Sequence, residues 1–301
     1  MSAIAKTVVA TGVSSGLGLE AIKQLLGQSQ PWKVILGARD TVRTSRAYEA
    51  LDYERTRQTV SVLPLELTDL QTVRLFAQQT LKGLGKDKID YLLLNAAISQ
   101  APSEPGPHGS KWCPSYVVNH LSQHYLVHLL RDKLVESRSR IVFVSSGAVR
   151  NADPEAMESD LLAASGATSF ALYAETKFAQ LLSAHWWRRQ LADSCEVLAV
   201  SPGLIPGTGL GRGSGISIPV NTPDAKPVSE GASSILRAFT RDDLPEDPEQ
   251  IFLTSWGEWW NKEVYAKSLD KALQDKWCPS RDEIERLTNT GSASLHPSSV
   301  V

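Results

Sequence analysis

The chain has 301 residues, a formal net charge of −2 and 42% hydrophobic residues. That length fits one α/β domain or two small ones, and the near-neutral balance excludes a basic nucleic-acid surface or an anionic-membrane partner. Three scattered cysteines, Cys113, Cys195 and Cys278, exclude a disulfide framework and point to a reducing, cytoplasmic compartment.

No apolar run reaches the length of a transmembrane helix. The first strand signal, Thr7–Ala10, begins within a few residues of Met1 and leaves no room for a signal or transit peptide ahead of it. Next comes Thr11-Gly-Val-Ser-Ser-Gly-Leu-Gly18, and then Leu19–Leu26 with apolar residues at helical spacing. Strand, glycine turn and helix in that order make a phosphate-cradling turn, because glycine permits φ > 0 and close backbone approach while the helix start offers unpaired N–H groups.

Further strand signals are Val34–Leu36, Val60–Leu67, Tyr91–Leu94, Ile141–Val144 and Val197–Val200, with a seventh near Ile251–Leu253. Asp69 caps a helix running to Leu81, and longer helical patterns run over Tyr116–Val135 and Ala171–Leu191. Fully apolar strands alternating with helices predict a doubly wound, Rossmann-type parallel sheet with helices on both faces. We expect a single domain over 1–290 with a C-terminal helical extension. A Gly/Pro/Ser-rich stretch over 206–227 reads as a lid, and 291–301 as a disordered tail.

Tyr173 and Lys177 lie four residues apart on one helix face, and Ser145-Ser146 ends the fifth strand, where such sheets place their sites. A tyrosine acts as acid or base near neutrality only if its pKa is pulled down from ~10, and a nearby ammonium does that. A hydroxyl from Ser146 suits the substrate oxygen that Tyr173 protonates.

On these residues the chain resembles the short-chain dehydrogenase/reductase family, on its retinol-dehydrogenase and protochlorophyllide-reductase side. Thr11-Gly12…Gly16-Leu17-Gly18 is similar to the family's cofactor turn, and Leu94-Asn95-Ala96-Ala97 stands where the family has NNAG. Asn119, Ser146, Tyr173 and Lys177 match the catalytic tetrad, and Pro202-Gly203-Leu204-Ile205 the segment facing the nicotinamide amide, with Thr208 near the usual threonine.

The resemblance implies an oxidoreductase that moves hydride between nicotinamide C4 and a hydrophobic ketone, aldehyde or alcohol. Tyr173 would be the general acid/base, Lys177 the ribose ligand that lowers the Tyr173 pKa, Ser146 the carbonyl holder and Asn119 the holder of a relay water. Ser14, Ser15, Leu67 and the residues of the motifs above would contact the cofactor. Strand two ends Ala38-Arg39-Asp40, and the Arg39 guanidinium suits a 2′-phosphate, so NADP(H) is preferred over NAD(H), with Asp40 read as a cap. Glu66 stands where the family has an adenine-contacting Asp.

The family's usual homodimer or homotetramer would form through the two long helices. The cysteine that photoactive relatives carry after the YxxxK pair is replaced here by Phe178-Ala179. The alternatives are a protochlorophyllide-reductase-like photoenzyme and a non-catalytic NADP(H)-binding sensor or scaffold. His120, His124 and His128 share one helix face, but no carboxylate or Cys completes a metal set, so packing or an interface is expected. Trp256, Trp259 and Trp260 either line the substrate pocket or pack the C-terminal region.

Overall fold

The computed structural model describes residues 4–102, 105–212 and 219–292. Seven strands form one sheet in the order β3-β2-β1-β4-β5-β6-β7, and every pairing is parallel. They are β1 (Lys6–Ala10), β2 (Trp32–Ala38), β3 (Thr59–Pro64), β4 (Tyr91–Leu94), β5 (Arg140–Val144), β6 (Glu196–Val200) and β7 (Phe252–Leu253). The chain reverses its winding between β1 and β4, and that opens a crevice at the carboxyl ends of the two strands.

The helices are α1 (Gly16–Leu26), α2 (Thr41–Glu49), α3 (Leu70–Leu84), α4 (Pro114–Tyr116), α5 (Ser122–Ser137), α6 (Met157–Asp160), α7 (Ser169–Gln190), α8 (Val228–Thr240), α9 (Lys271–Trp277) and α10 (Arg281–Ser292). One apolar layer joins α1, α2 and α8 to the sheet through Ile22, Leu25, Tyr48, Ile235 and Phe239. The other face carries α3, α5 and α7 through Phe76, Tyr125, Leu130, Phe178 and Leu182. Strands covered on both faces read as unbroken apolar runs, which is why β1, β4, β5 and β6 were legible.

The third strand stops at Pro64, short of the expected Leu67, although Leu65 N still donates to Ala38 O at 2.9 Å. Beyond it the backbone turns, with Thr72 Oγ1 accepting from Glu66 N (3.0 Å) and donating to Glu66 O (2.6 Å). Asp40 and Asp69 are N-caps as expected, accepting from Arg43 N and Gln71 N at 2.8 Å each. The helices α2 and α8 were not foreseen, their apolar positions being sparse or flanked by loop-type composition.

The expected Tyr116–Val135 helix is α4 and α5 joined through a π turn, Val117–Leu121, in which Ser122 N donates to Val117 O. The last helix, α10, runs to Ser292, and the rest of the expected tail, 293–301, lies outside the described residues. Part of the 206–227 lid, residues 213–218, lies outside them too. No helix among the described residues is long and apolar enough to cross a membrane.

Candidate active site

The glycine turn after β1 closes against β4 so tightly that a side chain would not fit. A Cβ on Gly12 would lie 2.5 Å from Ala96 Cα, and one on Gly18 would lie 2.2 Å from Gly12 O. Gly12 also holds φ at +67°, a conformation that favours glycine. Asn95 staples this turn from the end of β4: its Nδ2 donates to Gly12 O at 2.8 Å and to Thr11 O at 3.3 Å. Its own N–H and that of Ala96 donate to Thr11 Oγ1, while Ala97 is half-buried beside them.

The Tyr48 hydroxyl pins the turn from α2 by donating to Val13 O at 2.8 Å. Ser14 is exposed, and Ser15 enters α1 in extended backbone (φ −167°). Gly16 faces Thr208, whose Cβ stands 3.6 Å from the position of a Gly16 Cβ, so the loop after β6 returns over the start of α1. Leu17 and Ile205 meet beside Gly231 of α8, which makes Ile205 a packing residue as much as a lining one. Pro202 is buried, and Gly203 (φ +95°) turns the chain against Ser255.

The exposed Arg39 guanidinium lies 4.0 Å from the Glu66 carboxylate at the open end of β2 and β3. Glu66 in turn accepts from Thr68 N at 2.9 Å. Leu67 is buried, and its carbonyl accepts the Ser122 hydroxyl, so that carbonyl is engaged within the fold.

Beyond β5 the four tetrad residues converge. Ser146 lies near enough to the Tyr173 hydroxyl to favour its ionised form, and Ser146 Oγ accepts Ala148 N at 3.1 Å. Lys177, one helical turn from Tyr173, is 2% exposed and donates from Nζ to Val144 O at 2.7 Å and Gln180 Oε1 at 3.0 Å. Its Nζ stands 5.9 Å from the Tyr173 ring centroid. Asn119 sits in the π turn, a local widening that helices often place at functional sites. It clamps Ile98 through Ile98 N and Ile98 O at 2.8 Å each, and its Nδ2 reaches Thr176 Oγ1 at 2.9 Å.

One electrostatic expectation is corrected. Burial pushes the Tyr173 hydroxyl above its ordinary value, with the Ser146 hydrogen bond pulling the other way. Burial acts on Lys177 as well, bringing its pKa down to about 7.

Gln123 escaped sequence reasoning. It accepts from Thr11 Oγ1 at 3.0 Å and donates to Ala96 O and Asn119 O at 2.9 Å each, tying the glycine turn, the end of β4 and the π turn together. A polar side chain on the inward stripe of an apolar helix is the signal that could have found it.

The tryptophans divide their roles. Trp259 packs beneath the Arg241 guanidinium on the α8 side of the sheet. Trp260 stacks on Phe252 at 5.7 Å and presents its edge 3.7 Å from a Cβ on Gly147, next to Ser146. Trp256 is 60% exposed, with Lys226 Nζ 4.6 Å from its ring centroid.

The histidine row serves packing. His120 Nε2 donates to Trp277 O at 2.7 Å, and His124 Nδ1 accepts Trp187 Nε1 at 3.0 Å while His124 Nε2 reaches Pro279 O at 3.0 Å. His128 Nε2 lies 3.2 Å from the same carbonyl. The segment Trp277–Pro279 is thereby strapped over α5 and α7, covering part of the faces expected to form a subunit interface.

A nucleotide-cradling turn at a switch point, followed by a Ser-Tyr-Lys cluster at the end of β5, defines a Rossmann-type oxidoreductase. The family model for short chain dehydrogenases matches residues 6–214, and the chain belongs to that family. Among its relatives, a short-chain dehydrogenase/reductase of Pestalotiopsis microspora is 59% identical over 286 residues, covering 94% of this chain and 98% of the relative. Human retinol dehydrogenase 14 is 32% identical over 69% of this chain and 63% of its own length, and a protochlorophyllide reductase also matches. The NADPH-bound carbonyl reductase from chicken fatty liver shares the fold, with a TM-score of 0.63 at 19% identity, covering 86% of this chain and 95% of that structure.

Proposed function

We propose that the chain is an NADPH-dependent carbonyl reductase acting on a hydrophobic ketone or aldehyde, or on the matching alcohol in reverse. The observation that carries the reading is the grouping of Ser146, Tyr173 and buried Lys177, whose Nζ stands 5.9 Å from the Tyr173 ring centroid, at the strand ends that face the glycine turn. The bound nicotinamide supplies the hydride chemistry that the side chains lack.

The side chains manage the proton. Burial keeps the Tyr173 hydroxyl protonated at neutral pH, the form a general acid needs in order to give its proton to a carbonyl oxygen. The Ser146 hydroxyl holds that same oxygen. Lys177, poised near 7, is the neighbouring amine from which the tyrosine is reprotonated. Asn119 keeps the π turn and Ile98 in register with α7 through Thr176.

Gly12 and Gly18 let the turn close against Asn95 and Ala96, Gly16 leaves room beside Thr208, and the start of α1 attracts a pyrophosphate. Ser14, Ser15, Leu17 and the Asn95–Ala97, Pro202–Ile205 and Thr208 segments complete the cofactor wall. Arg39, its side chain exposed and only loosely paired with Glu66, supports a 2′-phosphate and hence NADP(H) over NAD(H). Half-exposed Leu204, Trp256 and the edge of Trp260 support an apolar or aromatic substrate. Three free, buried cysteines support a cytoplasmic location. A homodimer or homotetramer would use the parts of α5 and α7 that the strap leaves open.

The test is NADPH oxidation in the dark against hydrophobic ketones, aldehydes and quinones, with NADH in parallel. Tyr173→Phe is expected to lower kcat by 10²–10⁴-fold while leaving NADPH affinity within about threefold. Tight NADPH binding with no turnover on any substrate supports the sensor reading. Turnover confined to illuminated samples supports the photoenzyme.

A further inference from the structure

Lys177 and Gln180 lie three residues apart on α7, and both are buried, at 2% and 1% exposure. The Lys177 ammonium has two acceptors, Val144 O at 2.7 Å and Gln180 Oε1 at 3.0 Å, and both are uncharged. Among the described residues the hydrogen-bond partners of the Lys177 ammonium include no carboxylate, and burial is what acts on its pKa. Tyr173 is the titratable group beside it, its ring centroid 5.9 Å away.

Gln180 is placed at a cost. Its Nε2 is buried and finds no acceptor among the described residues. Leaving a buried donor unpaired is expensive, and an apolar side chain of the same size would avoid the expense. Turning the amide over would aim its N–H groups at the ammonium, so the oxygen is what the position supplies.

We propose that Gln180 is a positioning residue for Lys177, its side-chain oxygen keeping the buried amine protonated and turned toward the end of β5, where Ser146 and Tyr173 meet. The inference rests on the reading that Tyr173 and Lys177 act together in proton transfer. Burial strips the ammonium of water, and hydrogen bonds to the charged form are what oppose that loss. Val144 O and Gln180 Oε1 are the acceptors that the ammonium has among the described residues, and only the second is open to side-chain change.

The experiment is an NMR titration of the Lys177 side chain in the cofactor-free, lysine-labelled chain, with Lys177→Met to assign the signal. Gln180→Leu is expected to lower the midpoint by about one pH unit, and Gln180→Glu to raise it. The basic limb of the kcat/KM pH profile follows the same shifts, a response that a purely structural role would not produce. Circular dichroism checks folding. If Gln180→Leu does not fold, Gln180→Asn, which draws the oxygen back by one methylene, is expected to give a smaller fall. An unchanged Lys177 midpoint in the folded variant overturns the proposal. Full turnover by Tyr173→Phe overturns the catalytic reading instead, while the Lys177 midpoint still decides the Gln180 contact.

Discussion

Acid should loosen the C-terminal strap before it touches the sheet, and His120 gives the sharpest handle on that. Its Nε2 faces the Trp277 carbonyl at 2.7 Å, and a carbonyl only accepts, so Nε2 carries the proton of the neutral ring. Its Nδ1 is buried with no partner among the described residues, so a second proton there has nothing among them to bond. Burial accordingly lowers the His120 pKa from 6.5 to about 4. In the unfolded chain the same ring takes its proton at its ordinary value. Between pH 6.5 and about 4 the unfolded state therefore binds more protons, and stability present above 6.5 is lost as the pH falls through that window. At pH 5 the loss through this one side chain comes to about 2 kcal/mol. His120→Gln keeps an N–H for the Trp277 carbonyl and removes the titration. Urea unfolding at pH 7 and pH 5 should show that wild type loses about 2 kcal/mol more between the two conditions than the variant does. Equal losses in the two proteins would refute the account of a ring held neutral by an orphaned nitrogen.

Two predictions concern the cofactor turn. Gly18→Ala sets a methyl carbon 2.2 Å from Gly12 O, so the turn must open; NADPH affinity measured by fluorescence should fall at least tenfold, with the far-ultraviolet circular dichroism retained. Arg39→Ala removes the guanidinium proposed for the 2′-phosphate, and the KM for NADPH should rise roughly tenfold while that for NADH stays within about twofold. An equal effect on both cofactors would show that Arg39 does not discriminate between them.

Much of this architecture was legible from local rules. Doubly buried parallel strands must be continuously apolar, so β1, β4, β5 and β6 stand out from any alternating pattern. The Asp40 and Asp69 caps are side-chain-to-backbone bonds two or three residues long, and so lie wholly within a short window of sequence. The glycine turn was readable because its spacing encodes a steric demand. The long-range partners were not readable. Gln123 meets Thr11 across 112 positions of sequence, and nothing in the helix around it names that partner. Sequence proximity also misled, since Lys177 stands one turn from Tyr173 yet burial raises the tyrosine's pKa where a lowering was expected.

The sequence by itself determined the seven strands in chain order, which rest on apolar runs along the chain. It also carries the expected nucleotide turn and, by resemblance to the family, the candidate residues Asn119, Ser146, Tyr173 and Lys177. Only the tertiary structure decided the electrostatic state of the site and the fates of the tryptophans and histidines. Burial is a property of the whole fold: it pushes Tyr173 up, brings Lys177 down to about 7 and holds His120 neutral, and no local pattern measures how much water is excluded.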